Sequence, residues 1–308
     1  MAPSTARSWS TSDEAVHGAA HCHTRARMTM PGWDLHTHST DSDGTTTVED
    51  NVVRAVQLGL DGIAVTDHDT MAGVDRAEAA AAGTGLAIVA GTEFSAELDG
   101  VSVHVLGFWT DSQDPALADE MDRLRNERRR RAQQIVEKFN GLGIAVSFER
   151  VEELAGNAPI GRPHVAAAVV EVGAAASTRE VFDRFLADGG PANVPKHAVH
   201  PVRAVELLQD AGGVAVLAHP GLFGSRTGDV MPDAVIEDMA AAGMTGIEAD
   251  HPDHSDAQRR RYRDMAAALD LVVTAGSDYH GSTKEQALGA ATVATAVVEA
   301  LRARRNRS

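Results

Sequence analysis

The chain has 308 residues, 43% of them apolar but only 4% aromatic, so one large domain, or one carrying a sizeable insertion, can bury a core built mostly of Ala, Val and Leu. With 28 basic against 44 acidic residues the formal charge is −16, a field that disfavours long nucleic acid as a partner and suits a site that gathers divalent cations. One cysteine, Cys22, excludes an internal disulfide and fits a reducing compartment such as the cytoplasm, and no apolar run approaches the ~20 residues of a membrane span.

Residues 1–30 are rich in Ser, Thr, Ala and Arg and lack the apolar middle of a secretory signal, which predicts a disordered N-terminal tail. Met28 and Met30 stand just before the first strand as alternative starts of translation, and the "HCH" of 21–23 reads as tail before it reads as a metal motif. Seven short apolar runs then predict strands at 33–36, 62–66, 86–91, 101–107, 213–218, 245–249 and 271–275. Segments of helical period separate most of them, such as 47–59, where Thr47 and Asp50 resemble a capping box, 233–242 and 256–269. This is the βαβ rhythm of a mostly parallel sheet. Between 91 and 101 there is no room for a helix, so the third and fourth strands are expected to form a hairpin around Asp99-Gly100, with the fourth antiparallel. From 115 to 205 only helical stretches follow one another, beginning with a long basic one. The expected organisation is a barrel from 31–114 and 206–308 interrupted by a helical insertion at 115–205.

The reactive side chains fall at the strand ends. His36, His38 and Asp43 follow the first strand; Asp67, His68 and Asp69 the second; Glu93 the third; His219 the fifth; Glu248, Asp250, His251 and His254 the sixth; Asp278 and His280 the seventh. In a βα barrel those ends share one rim, which carries the active site. His104 opens the fourth strand, and a reversed fourth strand brings its beginning to that same rim. Each motif alone is weak: two histidines one residue apart are often only one face of a strand, and "TDHD" is often a turn. Together they supply too many ligands for one tetrahedral zinc, which takes about four, and fit two or three divalent ions, with imidazole and carboxylate favouring Mn, Fe or Zn over Ca or Mg alone.

These motifs, "DLHTHSTDSDG", "TDHDT", "GTEFS", "VHVLGF", "LAHP" and "SDYHG" in this order, resemble the PHP family, named for polymerase and histidinol phosphatase, across about residues 33–285. "GRPHVA" (161–166) and "NVPK" (193–196) resemble its branch of stand-alone nucleoside 3′,5′-bisphosphate phosphatases, some of which act as 5′→3′ exonucleases on short RNA. The resemblance implies an α/β fold, a distorted seven-stranded (β/α)7 TIM-like barrel. It also implies three metal sites: His36, His38, Glu93 and Asp278; Asp43, His68, Glu93 and His280; and Glu93, His104 and His219, with Glu93 bridging and Mn, Fe, Zn or Mg as the ions.

The expected reaction is hydrolysis of a phosphate monoester of a small phosphorylated metabolite, most simply a nucleotide (a nucleoside 3′,5′-bisphosphate or an AMP-like one), by a hydroxide held between cations. Arg162 and Lys196 are candidate phosphate contacts, His251 or His254 a candidate proton donor or phosphate contact, and Asp67 and Asp69 candidate partners that orient ligating imidazoles. His164, His197 and His200 read as loop or helix-face residues, and Asp41 has no assigned role. The arginines of 125–134 spread around a helix and read as a solvated face, with recruitment of a short oligonucleotide as the alternative. The competing functions are a 5′→3′ exonuclease, a histidinol phosphatase and a non-catalytic metal-binding module.

Overall fold

The structure, a computed structural model, describes residues 32–156, 160–187, 189–195, 197–225 and 228–305. The expected tail at 1–30, with its "HCH", and Lys196 lie outside the described residues. In chain order the elements are β1 (Trp33–Asp34), α1 (Val48–Leu58), β2 (Gly62–Val65), α2 (Val74–Ala81), β3 (Ala87–Leu98), β4 (Val101–Phe108), α3 (Pro115–Gly141), α4 (Phe148–Ala155), α5 (Arg162–Glu171) and α6 (Thr178–Val181), which runs into a π-helical turn. Then come α7 (Pro201–Asp210), β5 (Val214–Leu217), α8 (Asp233–Ala241), β6 (Gly246–Asp250), α9 (Asp256–Ala268), β7 (Val272–Ala275) and α10 (Thr295–Arg305). Among the described residues no helix is long and apolar enough to cross a membrane.

The seven strands form one sheet in sequence order. β1, β2 and β3 are parallel, as are β5, β6 and β7; β4 alone runs against both neighbours. A parallel bridge from Thr37 to Tyr279 brings the far ends together, so the sheet is a nearly closed, distorted TIM-like barrel, as expected from the strand count. The reversal of β4 is local chemistry: Asp99 and Gly100 both take positive φ, 49° and 86°, the backbone of a two-residue type I′ turn. Thr47 accepts from the Asp50 N–H at 3.1 Å and starts α1 as its spacing predicts.

Two strands differ from the reading of the sequence. β1 leaves the ladder after Asp34, so Leu35 and His36 continue without it. β3 runs on to Leu98, because beyond Ala90 its partner β2 ends and β4 pairs with it from Gly91 onward. Glu93 therefore sits inside a strand, held on both sides of its register, and is not a loop residue.

The cores explain which helices serve the barrel. Inside it pack Leu35, Ala64, Val89, Leu106, Phe108 and Val216. Outside, α1 and α2 cover Ile63 and Val65, while α7, α8 and α9 cover Val105, Leu217 and Ile247. A further cluster of Ile135, Phe139, Val151, Val165, Val169 and Leu186 gathers α3 to α6. α3 belongs to two cores: Leu117, Met121 and Leu124 pack on the barrel, Ala132, Ile135 and Phe139 on the helices. One rigid rod thus fixes its middle, residues 125–131, against the barrel rim.

Candidate metal centre

His36 and His38 are fully buried, and their ring centroids lie 5.1 Å apart. The alternation of an extended chain sends both to one side. They converge on Glu93, which is touched by five imidazoles. Its Oε2 lies 3.2 Å from His36 Nε2, 3.1 Å from His38 Nε2 and 3.3 Å from His68 Nδ1. Its Oε1 lies 2.9 Å from both His104 Nδ1 and His219 Nε2. Asp278 Oδ1 approaches His36, His38 and His280 at 3.6, 3.3 and 3.4 Å. Asp43 stands at the edge, 3.2 Å from His280 Nε2 and 3.7 Å from His68 Nε2.

Three groups have ligand atoms within 4.8 Å of one another: His36, His38, Glu93 and Asp278; His38, Asp43, His68 and His280; and His68, Glu93 and His104. In the second, His38 stands where the resemblance implied Glu93. In the third, His68 joins Glu93 and His104, while His219 reaches the same carboxylate from β5.

The residues fit divalent cations on their own terms. His36 Nε2, both nitrogens of His38, His68 Nδ1, His104 Nδ1 and Glu93 Oε2 are buried without a hydrogen-bond partner. Buried polar atoms are nearly always paired, and leaving each one unpaired costs about 1–3 kcal/mol. Imidazole nitrogens and carboxylate oxygens that converge in this way, most of them without a hydrogen-bond partner, are the donor set that divalent cations would satisfy together.

Electrostatics say the same. Burial opposes charge on Glu93 and Asp278, yet the surrounding histidines hold both carboxyls well below their usual range. Burial also opposes charge on His38, but Asp278 and Glu93 outweigh it and hold the imidazole up at about 9. His36 is held up likewise by Glu93 and Glu248, whereas burial drives His68 well down. Without ions, protons on His36 and His38 take their place.

The supports are equally specific. Glu248, fully buried, lies 3.2 Å from His36 Nδ1 and accepts the His219 N–H at 2.9 Å, so His36 turns Nε2 inward. Asp34 accepts N–H groups of Ser277 and Gly289, both at 2.8 Å, tying β1 to the loop that carries Asp278; burial pushes its carboxyl up to about 6. Gly276 is the close approach: a Cβ there would stand 2.2 Å from His36 Cβ. Asp69, His219 and Asp278 all have positive φ, 52°, 23° and 53°, strain concentrated where strands enter the site.

Several expectations are corrected. Asp67 and Asp69 do not orient imidazoles: Asp67 accepts from Ser39 N and Oγ, both at 2.8 Å, and Asp69 from Ser95 N at 2.7 Å and Oγ at 2.8 Å. Asp67 pins the loop after β1 and Asp69 ties its own loop to β3, and Asp69 in addition lines the cavity beside the cluster. His254 is committed, with Nδ1 on the Ala249 carbonyl at 2.9 Å and Nε2 accepting from Gly221 N–H at 3.0 Å. His251 differs: Nδ1 accepts from Asp253 N–H, and Nε2, 3.6 Å from Asp278 Oδ2, has no partner. Asp41 has a role after all, pairing with Arg76 to hold the loop.

The basic helix is solvated as expected, with Arg125, Arg128, Arg129 and Arg130 exposed and Arg131 half-buried, but one of its faces also lines cavities at the rim. Arg125, Arg128 and Arg131, three residues apart, share the face of α3 toward the rim. A cavity of about 330 Å³ is lined by Asp69, Ser95, Arg128, Arg131, Arg162 and His197, among others. A smaller one of about 160 Å³ joins Asp43, His68 and Asp69 to Arg125 and Arg128. Arg125 donates to the Asp69 carbonyl at 2.7 Å, and Arg162 lies 5.6 Å from the Phe182 ring centre. Arg123 and Arg129 do pair with acids on exposed faces, as a solvated helix should. The spacing of three was the available signal. His164 caps α5 and His197 pairs with Glu120.

A seven-stranded barrel whose rim carries a buried cluster of imidazole and carboxylate ligands, with a cationic cavity beside it, defines a metal-dependent hydrolase of phosphate esters. The PHP domain model matches residues 34–154. A 5′-3′ exoribonuclease of Haemophilus influenzae is 32% identical over 80% of this chain and 89% of its own. A 3′,5′-nucleoside bisphosphate phosphatase of Chromobacterium violaceum is 34% identical over 82% of this chain and 88% of its own. A crystal structure from Bifidobacterium adolescentis, described as a metal-dependent phosphoesterase, superposes with a TM-score of 0.72 at 33% identity, covering 89% of this chain and 96% of that one. The chain belongs to the PHP family and is a phosphoesterase.

Proposed function

We propose that the protein removes a phosphate from a small metabolite carrying two phosphates, most simply a nucleoside 3′,5′-bisphosphate. The observation that carries this is the junction of two unlike sites. The ligand cluster meets, across Asp43, His68 and Asp69, a cavity walled by Arg125 and Arg128, with Arg131 and Arg162 beyond. One phosphate ester would lie at the cluster and the other would be gripped by guanidinium forks.

The ions are two or three divalent cations, Mn, Fe, Zn or Mg. The proposed ligands are His36, His38, Asp43, His68, Glu93, His104, His219, Asp278 and His280. When bound they supply Lewis acidity and an activated water for attack on phosphorus. Of the protein's own groups, His251 Nε2 is the proposed proton donor to the leaving oxygen, and Glu248 keeps His36 in its ligating tautomer. Lys196 stays a candidate phosphate contact from the sequence alone. The proposed location is the cytoplasm, given the single Cys22.

The second reading, 5′→3′ cleavage of short oligonucleotides, is favoured by the three rim-facing arginines of α3, which can follow successive phosphates. The test is a phosphate- and nucleotide-release screen with Mn²⁺ on a 3′,5′-bisphosphate, a 5′-phosphorylated trinucleotide and histidinol phosphate, repeated on His36→Ala. Preference for the bisphosphate supports the first reading and preference for the trinucleotide the second. Unchanged activity in His36→Ala sinks the site, and no release from any ester sinks the enzymatic role.

A further inference from the structure

We propose that Lys284 is a phosphoryl-binding residue of the metal centre; the inference rests on the phosphoesterase reading above. Lys284 lies in the loop after β7, and its Nζ stands 2.5 Å from Asp278 Oδ2. Asp278 divides its oxygens. Oδ1 faces His36, His38 and His280, and Oδ2 faces Lys284 and, at 3.6 Å, His251 Nε2. The ammonium is therefore one carboxylate away from the ligand atoms and beside the proposed proton donor.

The ammonium is also within reach of a substrate. Its side chain is 39% exposed, against 4% for Asp278. It lines a cavity of about 220 Å³ that also carries Glu93, His104, His219 and Asp278. The facing wall is apolar, with Val103, Leu217, Leu222, Phe223 and Met231, and Lys284 is the single Lys or Arg among the described lining residues. An ammonium has three donors, and Asp278 occupies one, which leaves two for phosphoryl oxygens.

Charge balance gives the reason for such a residue. Asp43, Glu93, Glu248 and Asp278 bring four negative charges, which two divalent ions, the smaller of the proposed sets, would only neutralise. A phosphate dianion entering over the apolar wall then needs positive charge from the protein, and the arginines lie on the other side, beyond Asp43 and Asp69. Lys284 supplies it, on a flexible stem that can follow the phosphoryl group as it is transferred.

Full-length Lys284→Met and Lys284→Arg test this. Metal content after Mn²⁺ loading, calorimetric titration of the loaded protein with inorganic phosphate, and kcat and KM on the best phosphate ester are measured. Lys284→Met should keep wild-type metal content, while phosphate binding and kcat/KM each weaken about tenfold or more, the loss expected for one charged hydrogen bond. Lys284→Arg should recover most of the phosphate affinity. Phosphate affinity within about twofold of wild type in Lys284→Met overturns the proposal. So does loss of metal from both variants, since Lys284 would then serve Asp278 alone, and so does absence of phosphate binding by the loaded wild type. If the wild type binds phosphate but hydrolyses no ester, the functional reading fails, and the phosphate titration of Lys284→Met still decides this one.

Discussion

The ligand cluster and the arginine-lined cavity adjoin each other but are built by opposite means. The cluster is sealed: His36, His38, Glu93 and Asp278 are nearly inaccessible, and they come from three separate stretches of chain, Glu93 from inside β3 and the others from the segments that follow β1 and β7. The cavity takes most of its positive charge from one face of α3, whose Arg125 and Arg128 are exposed, with Arg162 of α5 added. The difference teaches which part is built for chemistry and which for choice of substrate. Burial makes the cluster's charges strong and intolerant of change, whereas the cavity's charges are screened by water and can be exchanged singly.

That contrast can be broken first at Glu93. Glu93→Gln removes the charge that five imidazoles share and should lower turnover by about 10³-fold with loss of bound metal, measured by kinetics and elemental analysis. Activity within about tenfold of wild type would mean the cluster is not the reaction centre. Glu248→Gln comes next. Its amide cannot keep both contacts as well as the carboxylate does, because one oxygen becomes an NH₂ that meets either the His36 Nδ1–H or the His219 N–H. Metal affinity should fall about 10- to 100-fold while the fold, read by circular dichroism, stays intact. An unchanged metal affinity would leave Glu248 as packing only.

The cavity predicts a different signature. Arg128→Met should raise KM about tenfold for a substrate with two phosphates and leave a monophosphate unaffected, since only the second phosphate loses a partner. Equal effects on both substrates would detach the cavity from recognition.

The smallest expected effect is on pH dependence. The His38 pKa is raised to about 9 from an ordinary value near 6.5, so in metal-free protein its proton stabilises the fold fully below about 6.5 and progressively less as pH rises through about 9. The melting temperature of EDTA-stripped protein should therefore fall between pH 6.5 and pH 9.5, and the gap to Mn²⁺-loaded protein should widen, since ions displace those protons. A gap that stays constant or narrows would show that His36 and His38 do not exchange protons for metal.

Much of the cluster was legible because strand ends are. A βα barrel delivers the residues after its strands to one rim, so period and motif together marked the histidines after β1, β2, β5 and β7. Even the exception was legible, because the short link at Asp99-Gly100 forces a hairpin and returns His104 to the rim. Glu248 was visible as a residue at a strand end, but its bond to His36 is a contact across the barrel that no local spacing encodes. Lys284 gave no signal at all, since its meaning depends on a loop folding back over Asp278. Which arginines of the solvated α3 look toward the rim was hidden for the same reason: Arg128 and Arg129 are neighbours in sequence, and only docking sends one toward Asp69 and the other toward Glu152.

The sequence by itself determined the barrel, the reversal of β4 and the candidate donor atoms at its rim, because these follow from residue period, turn chemistry and ligand type acting over a few residues. Tertiary structure alone decided which oxygen of Asp278 faces the histidines and which faces Lys284, which histidine of the β6 loop keeps an open nitrogen, and which face of α3 looks inward. Those choices depend on how elements far apart in the chain pack against one another, and packing is settled by the whole core at once.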